Sequence, residues 1–291
     1  MSGPGPENGA LLLGAVAYDP KVVTIWDGFR SWLRDEGLDF DYVLYSNYER
    51  QADDLIAGRI DVAWNSPLAW IRARRLGAAR GVAVTPVTMR DTDRDLTSVI
   101  VVRSGDAART LSDLKGAILA TGAIDSPQAT LLPLSLLRGA GLHPGEDVTV
   151  TRFDVGVGLH GDHVGGERDA ARALIAGDAR AACVLDGNLL LFAREGTLPS
   201  DAVRVIGRTP PYDHCMMTAG PSAGDAVTER FLDLLLGMDY GDDRLRPLLD
   251  AEGLKQWLPP RLAGYAQLER AVDEASFYDA AGTIIARDYR P

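Results

Sequence analysis

The stretch Ile60-Asp-Val-Ala-Trp64-Asn65-Ser66-Pro67-Leu68 decides the fold. Its first five residues make a short, nearly continuous apolar run, the habit of a strand buried on both faces in a parallel sheet. Asn65-Ser66-Pro67 ends that run, and a helix is expected from near Leu68. Upstream, Leu11 to Ala17 is another buried-strand pattern, stopped by Tyr18-Asp19-Pro20. A helix is predicted over 23–36, because Ile25, Trp26, Phe29, Trp32 and Leu33 recur at helical spacing and Gly37 stands where a C′ glycine would stop it. A strand over 40–44 and a helix over 50–57 complete a β-α-β-α-β order, which calls for a parallel sheet covered by helices. In such sheets the ligand crevice lies at the carboxyl ends of the strands, so the loops holding Tyr18, Asn65 and Ser66 are expected to face one cleft.

Downstream, a polar segment over 85–97 precedes the apolar strand Ser98 to Arg103, and a domain crossing is expected there. The second unit repeats the theme: strand 117–120, helix 129–138, strand 148–153, a glycine-rich loop, helix 169–176 and strand 181–185. A return crossing over 203–211 leads into a helical C-terminal third. The expected division is a first lobe of residues 1–92 and 208–291 and a second lobe of residues 93–207.

Composition fits this reading. The 291 residues are 46% hydrophobic and 24% charged, which excludes a disordered or fibrous chain. A net charge of −11 argues against nucleic acid or an anionic membrane as partner, since phosphate backbones are held by clustered Lys and Arg. A small anionic ligand is not excluded, because backbone N–H groups can bind one locally. Cys183 and Cys215 are too few for a disulfide framework. The first nine residues carry no Lys or Arg, the run from Leu11 is too short for a signal h-region, and no lipobox cysteine or membrane span of ~18 apolar residues is seen. The expected location is therefore cytoplasmic, or periplasmic if a leader has been removed.

Three segments are candidates for chemistry. Gly122-Ala-Ile-Asp125-Ser126-Pro127-Gln128-Ala129-Thr130 lies between a buried strand and a helix, where an N-capped helix start offers N–H groups to an anion. Gly156-Val-Gly158-Leu-His160-Gly161-Asp162-His163-Val-Gly165-Gly166-Glu167 packs five glycines and two histidines into one loop, which lets backbone approach a ligand closely. Pro210-Pro211-Tyr212-Asp213-His214-Cys215-Met216-Met217 adds a histidine and a thiol. On an extended segment His214 and Cys215 would point to opposite faces, and Cys215 beside two methionines suits a core position. Cys183, inside an apolar strand, reads as core. His160, His163, His214 and Cys215 are candidate metal ligands, with Asp162, Asp213 and Glu167 as possible additions, but no local zinc signature is present.

Several of these pieces occur together, in order, in a known family. Tyr48 before the helix near Arg50, Gly58-Arg-Ile-Asp-Val-Ala-Trp-Asn-Ser-Pro-Leu-Ala69, Ser98-Val-Ile-Val-Val-Arg103, Leu111-Ser-Asp-Leu-Lys-Gly116, Gly158-Leu-His160 and Pro211-Tyr-Asp213 resemble the phosphonate- and phosphate-binding components of ABC transporters, of the type II periplasmic binding protein fold. The resemblance covers roughly residues 10 to 215. It implies two α/β lobes with mostly parallel sheets, two hinge crossings, and a phosphonate-, phosphate- or sulfonate-like ligand trapped between the lobes, with no cofactor required. It further implies ligand contacts at Tyr48, His160 and Asp213 and a phosphonate cradle at the helix start over 125–130, so the expected ligand set is Tyr18, Tyr48, Asn65, Ser66, Ser126, Gln128, Thr130, His160 and Asp213. The sequence departs from the family at that cradle, where Asp125-Ser126-Pro127-Gln128 replaces a hydroxyl cluster and Asp125 would repel a dianion if it pointed inward, and at Leu96-Thr97, which replaces an aromatic contact. An ABC permease is the partner that the family implies. Similar lobes also carry cytosolic enzymes; in that alternative His160 or His214 is the acid or base and Cys215 the nucleophile, or a divalent metal is bound by His160, His163, His214 and Cys215.

Overall fold

The computed structural model describes residues 10–291; the opening segment whose lack of basic residues entered the leader argument lies outside them. In chain order, β1 (Leu11–Val16), α1 (Lys21–Asp35), β2 (Phe40–Tyr45), α2 (Tyr48–Ile56), β3 (Val62–Asn65), α3 (Pro67–Arg80) and β4 (Thr85–Arg90) form the first half of one unit. Next come β5 (Ser98–Arg103), β6 (Ile118–Thr121), α4 (Leu132–Gly139), β7 (Thr149–Arg152), α5 (Gly165–Ala176), β8 (Ala181–Leu185), α6 (Asn188–Arg194) and β9 (Val203–Arg208). The chain ends with β10 (Met216–Ala219), α7 (Asp225–Leu236), α8 (Arg246–Glu252), β11 (Trp257–Leu258) and α9 (Ala266–Glu274). No helix among the described residues is long and apolar enough to cross a membrane.

The chain separates into two compact units. Unit 1 comprises residues 1–94, 214–262 and 280–283, and unit 2 comprises 95–213, 263–279 and 284–291. The expected first lobe of 1–92 and 208–291 is thereby corrected. Residues 263–279 and 284–291 join unit 2, because α9 turns its apolar face of Leu268, Ala271 and Val272 inward and packs on α4.

Unit 1 holds a six-stranded sheet in the order β11-β4-β10-β3-β1-β2. β1 is parallel to β2 and β3, as the β-α-β-α-β order requires, whereas β10 enters antiparallel between β3 and β4. Unit 2 holds a five-stranded sheet, β7-β6-β8-β5-β9, in which β6 is parallel to β7 and β8 but β5 is antiparallel to β8 and β9. The sheets are therefore mixed rather than mostly parallel. The strands beside each passage of the chain, β4, β5, β9 and β10, supply the antiparallel half.

Local chemistry explains the element limits. α1 buries Val22, Ile25, Trp26, Phe29 and Leu33 on the sheet and stops before Gly37, whose φ of +80° suits a residue without Cβ. β3 begins at Val62, not Ile60, because Asp61 leaves the ladder: its Oδ2 accepts the N–H of Leu12 at 2.9 Å. Gly14 in β1 admits Ile60 closely, since a Cβ there would lie 2.5 Å from Ile60 Cδ1. The polar 85–97 segment contains β4, a strand that composition hides: Val87 and Met89 are buried, and the hydroxyl of the buried Thr88 donates to Leu258 O at 2.8 Å. The return segment over 203–211 likewise holds the edge strand β9.

Candidate functional site

In unit 2, the chain leaving β6 turns through Asp125 into Ser126, whose Oγ accepts the N–H of Ala129 at 3.1 Å, the N-cap expected from sequence. The helix does not begin as a regular α-turn at Ala129. Residues Pro127–Leu131 form a wider π-type turn, with Leu131 N and Thr130 N both donating to Ser126 O at 3.0 and 3.1 Å. Pro133 accounts for the widening: it lacks the N–H that an α-helix would direct to Ala129 O, and that carbonyl instead accepts from Gly122 N at 3.2 Å.

The glycine-rich loop is fastened to this turn. Asp125 is buried, and its Oδ2 accepts the N–H of Gly158 at 2.6 Å and of His160 at 3.2 Å. The carboxylate that sequence reasoning set against a dianion thus holds the loop. Gln128 Nε2 donates to Gly161 O at 2.8 Å. Gly161 has φ of +80°, and a Cβ on it would stand 2.4 Å from Ser126 Oγ and 2.5 Å from Gln128 Nε2. His160 itself takes a positive φ of 51°, is fully buried, and places Nε2 3.4 Å from the hydroxyl of Tyr289. Within this cluster the buried Thr130 Oγ1 and Gln128 Oε1 make no hydrogen bond. A buried polar atom without a partner costs about 1–3 kcal/mol, so these two groups await a ligand or water.

The other glycines and His163 do different work. Gly165 and Gly166 open α5, where a Cβ on Gly166 would meet Phe153 O at 2.2 Å. His163 is exposed and its Nδ1 accepts the N–H of Gly165 at 3.2 Å. Glu167 is buried behind the loop: Oε1 accepts from Leu185 N at 2.7 Å and Asn188 Nδ2 at 3.0 Å, while Oε2 has no partner. Burial pushes its carboxyl up to about 7, against the weaker opposing pull of those hydrogen bonds. Asp213 is also buried in unit 2, held between Asp95, whose N–H its Oδ1 accepts at 3.2 Å, and Gly264, whose carbonyl accepts its N–H at 3.1 Å.

In unit 1, Asn65 and Ser66 stand at the carboxyl end of β3 as the motif predicts. Ser66 caps α3 by accepting the N–H of Ala69 at 3.1 Å. Asn65 Oδ1 accepts from Gln51 Nε2 at 2.9 Å, and its buried Nδ2 has no partner. Tyr48 is buried at the first position of α2. Tyr18 is half-buried after β1, with Lys21 Nζ 5.7 Å from its ring centre.

His214 and Cys215 do not diverge as an extended pair would. They precede β10, and His214 N donates to Asp93 O at 2.8 Å. His214 Nδ1 lies 3.1 Å from Cys215 Sγ and 3.6 Å from Asp93 Oδ1. Arg90 grips Asp93 through Nε to Oδ2 at 2.6 Å and Nη2 to Oδ1 at 2.9 Å, and donates from Nη1 to Glu252 Oε1 at 3.2 Å. Burial alone would raise the Asp93 carboxyl, but Arg90, and then His214, hold it below the ordinary carboxylate range. Of the expected metal set, His160 and His163 belong to unit 2 and His214 and Cys215 to unit 1. Among the described residues the group of three ligand types brings Asp93 to His214 and Cys215, with neither His160 nor His163 in it. Cys183 is buried in β8 with its thiol pushed up by desolvation, consistent with a core residue. Sequence reasoning missed Asp93 and Tyr289, neither of which sits in a motif.

The family model for the phosphonate periplasmic substrate-binding protein of ABC transporters matches residues 15–265. The chain belongs to this family. Solved structures of the same fold include PhnD1 from Prochlorococcus marinus in complex with methylphosphonate, 16% identical with a TM-score of 0.67 over 92% of this chain and 98% of that one. A Xanthomonas citri protein bound to ATP is 18% identical with a TM-score of 0.69, covering 98% and 100% of the two chains. The Escherichia coli periplasmic aliphatic sulphonate-binding protein SsuA is 17% identical, with a TM-score of 0.58 over 93% and 87%. These likenesses establish the type II periplasmic binding protein fold for this member of the phosphonate-binding family.

Proposed function

We propose that the protein captures a small oxyanion of the phosphonate or sulfonate class and delivers it to an ABC permease, with the turn over 126–130 and the loop over 158–161 as its oxyanion cradle. The observation that carries this reading is the fastening of the 158–161 loop to the 126–130 turn through Asp125 and Gln128, with buried polar atoms of Gln128 and Thr130 left unpaired in that turn. Family membership and the methylphosphonate- and sulphonate-binding neighbours support the same ligand class. The family description also supports a periplasmic location over the cytoplasmic one expected from the sequence.

The cradle offers hydroxyl, amide and imidazole groups but no Lys or Arg, and it lies against a carboxylate. A like charge in a site of low dielectric weakens a dianion more than a monoanion, so the preferred ligand is a singly charged oxyanion. Calorimetry on the full chain with methylphosphonate, methanesulfonate and inorganic phosphate tests both points. The expected order places methanesulfonate or monoprotonated methylphosphonate first, with affinity for methylphosphonate falling as pH rises through its second ionisation. Thr130→Val and His160→Ala should each weaken binding by ~1–3 kcal/mol. Unchanged affinity in both variants, or no binding heat with any of the three, overturns the cradle.

A further inference from the structure

We propose that Asp93, His214 and Cys215 form a zinc site in unit 1, at the place where the chain leaves that unit and returns to it. Residue 94 is the last of unit 1 before the outward passage and His214 the first after the return, so the three ligands straddle both connecting segments. Each side chain offers one ligand atom, and the three atoms lie within 4.8 Å of one another. The Cys215 Sγ to His214 Nδ1 and His214 Nδ1 to Asp93 Oδ1 separations are 3.1 and 3.6 Å. Zinc bound tetrahedrally at ~2.0–2.3 Å requires its ligand atoms to be about 3.3–3.6 Å apart; the His214–Asp93 separation meets that spacing, and the Cys215–His214 separation of 3.1 Å is reached by a small opening of the pair. A thiolate, an imidazole and a carboxylate make a borderline-soft set, which selects zinc over magnesium or calcium. Three protein ligands leave a fourth position for water.

The surroundings suit a cation of charge two. All three ligands are buried, and Asp93 is oriented by the two-pronged grip of Arg90, the outer partner a ligating carboxylate needs. Arg90 in turn rests 5.1 Å over the Trp64 ring and on Glu252. With Cys215 ionised, a thiolate and the carboxylates of Asp93 and Glu252 gather beside the Arg90 guanidinium, a negative cluster that favours a divalent cation. Buried charge without such compensation is strongly disfavoured. Binding releases the thiol proton to solvent and changes no oxidation state.

The test is elemental analysis of the full chain after zinc loading and dialysis into metal-free buffer. The expected content is about one zinc per chain, falling about tenfold or more in Cys215→Ser and His214→Ala and unchanged in His163→Ala, whose side chain is exposed. Cobalt loading gives a second readout, a thiolate-to-cobalt charge-transfer band present in the unaltered protein and absent in Cys215→Ser. Where a ligand variant fails to fold, judged by circular dichroism, the cobalt band of the unaltered chain decides. Equal zinc in Cys215→Ser, zinc lost from the unaltered protein on dialysis, or a missing cobalt band each overturns the proposal. Oxyanion affinity is read separately on residues of unit 2, so failure of one proposal does not imply failure of the other.

Discussion

Two buried polar clusters, one in each unit, are built on opposite electrostatic plans. In unit 2 the cradle residues Ser126, Gln128, Thr130 and His160 are held by hydrogen bonds, and the nearby carboxylate of Asp125 is committed to two backbone N–H groups. In unit 1 the cluster around Asp93 is made of full charges, with Arg90 and Glu252 completing the network. The difference teaches two ways of burying polar groups: dipoles cost less to desolvate than charges, whereas full charges must be paired with one another to be buried at all.

That contrast can be broken by substitution. The largest effect is expected for Asp93→Asn, which strands the Arg90 guanidinium: removing one partner of a buried pair costs ~3–5 kcal/mol, read by denaturant unfolding. Because the Asp93 carboxyl sits below its ordinary range, its contribution is fully present above the unfolded value near ~4 and fades as pH falls toward the folded one, so the variant's deficit should shrink in acid. A deficit that grows in acid contradicts the ion-pair account. Next comes Gly161→Ala, where an added Cβ meets Ser126 and Gln128 at 2.4 and 2.5 Å; the expected loss is ~2–4 kcal/mol of stability together with oxyanion binding. Full ligand affinity in this variant would show that the loop and turn do not act as one site.

A smaller effect sharpens the comparison within unit 2. Glu167 has its pKa raised to about 7, so the folded state binds this proton more tightly than the unfolded chain does. Stability from this group is complete below about 4.5 and declines as pH rises toward 7, by on the order of 2–3 kcal/mol. Glu167→Gln should flatten that slope in melts between pH 5 and 8, and an unchanged slope would place its origin elsewhere. The least perturbing change is Thr130→Val, with little expected loss of stability beside the ~1–3 kcal/mol of lost oxyanion affinity.

What was legible in the sequence follows the range of each interaction. β1, α1, β2, α2 and the Ser126 cap announce themselves because apolar period and capping are local. The parallel half of each sheet follows from that order of elements. β4 stayed hidden since Thr88 and Arg90 satisfy their polar groups through contacts that composition does not show. The cradle was readable because Ser126 and the glycines lie in two short segments. The convergence of Asp93 with His214 and Cys215 was not, because it depends on one backbone hydrogen bond between the two connecting segments, and Tyr289 reaches His160 only through the last turn of the chain.

The place of β10 in the first sheet sets an order on synthesis. When the ribosome has released the chain to residue 213, all five strands of the second sheet exist, while the first sheet still lacks the strand that joins β3 to β4. The later-encoded unit can therefore complete its sheet first, and the earlier-encoded one must wait with an open seam until residues 216–219 emerge. A released chain ending at residue 213 should thus be less protease-sensitive within 98–208 than within 11–90.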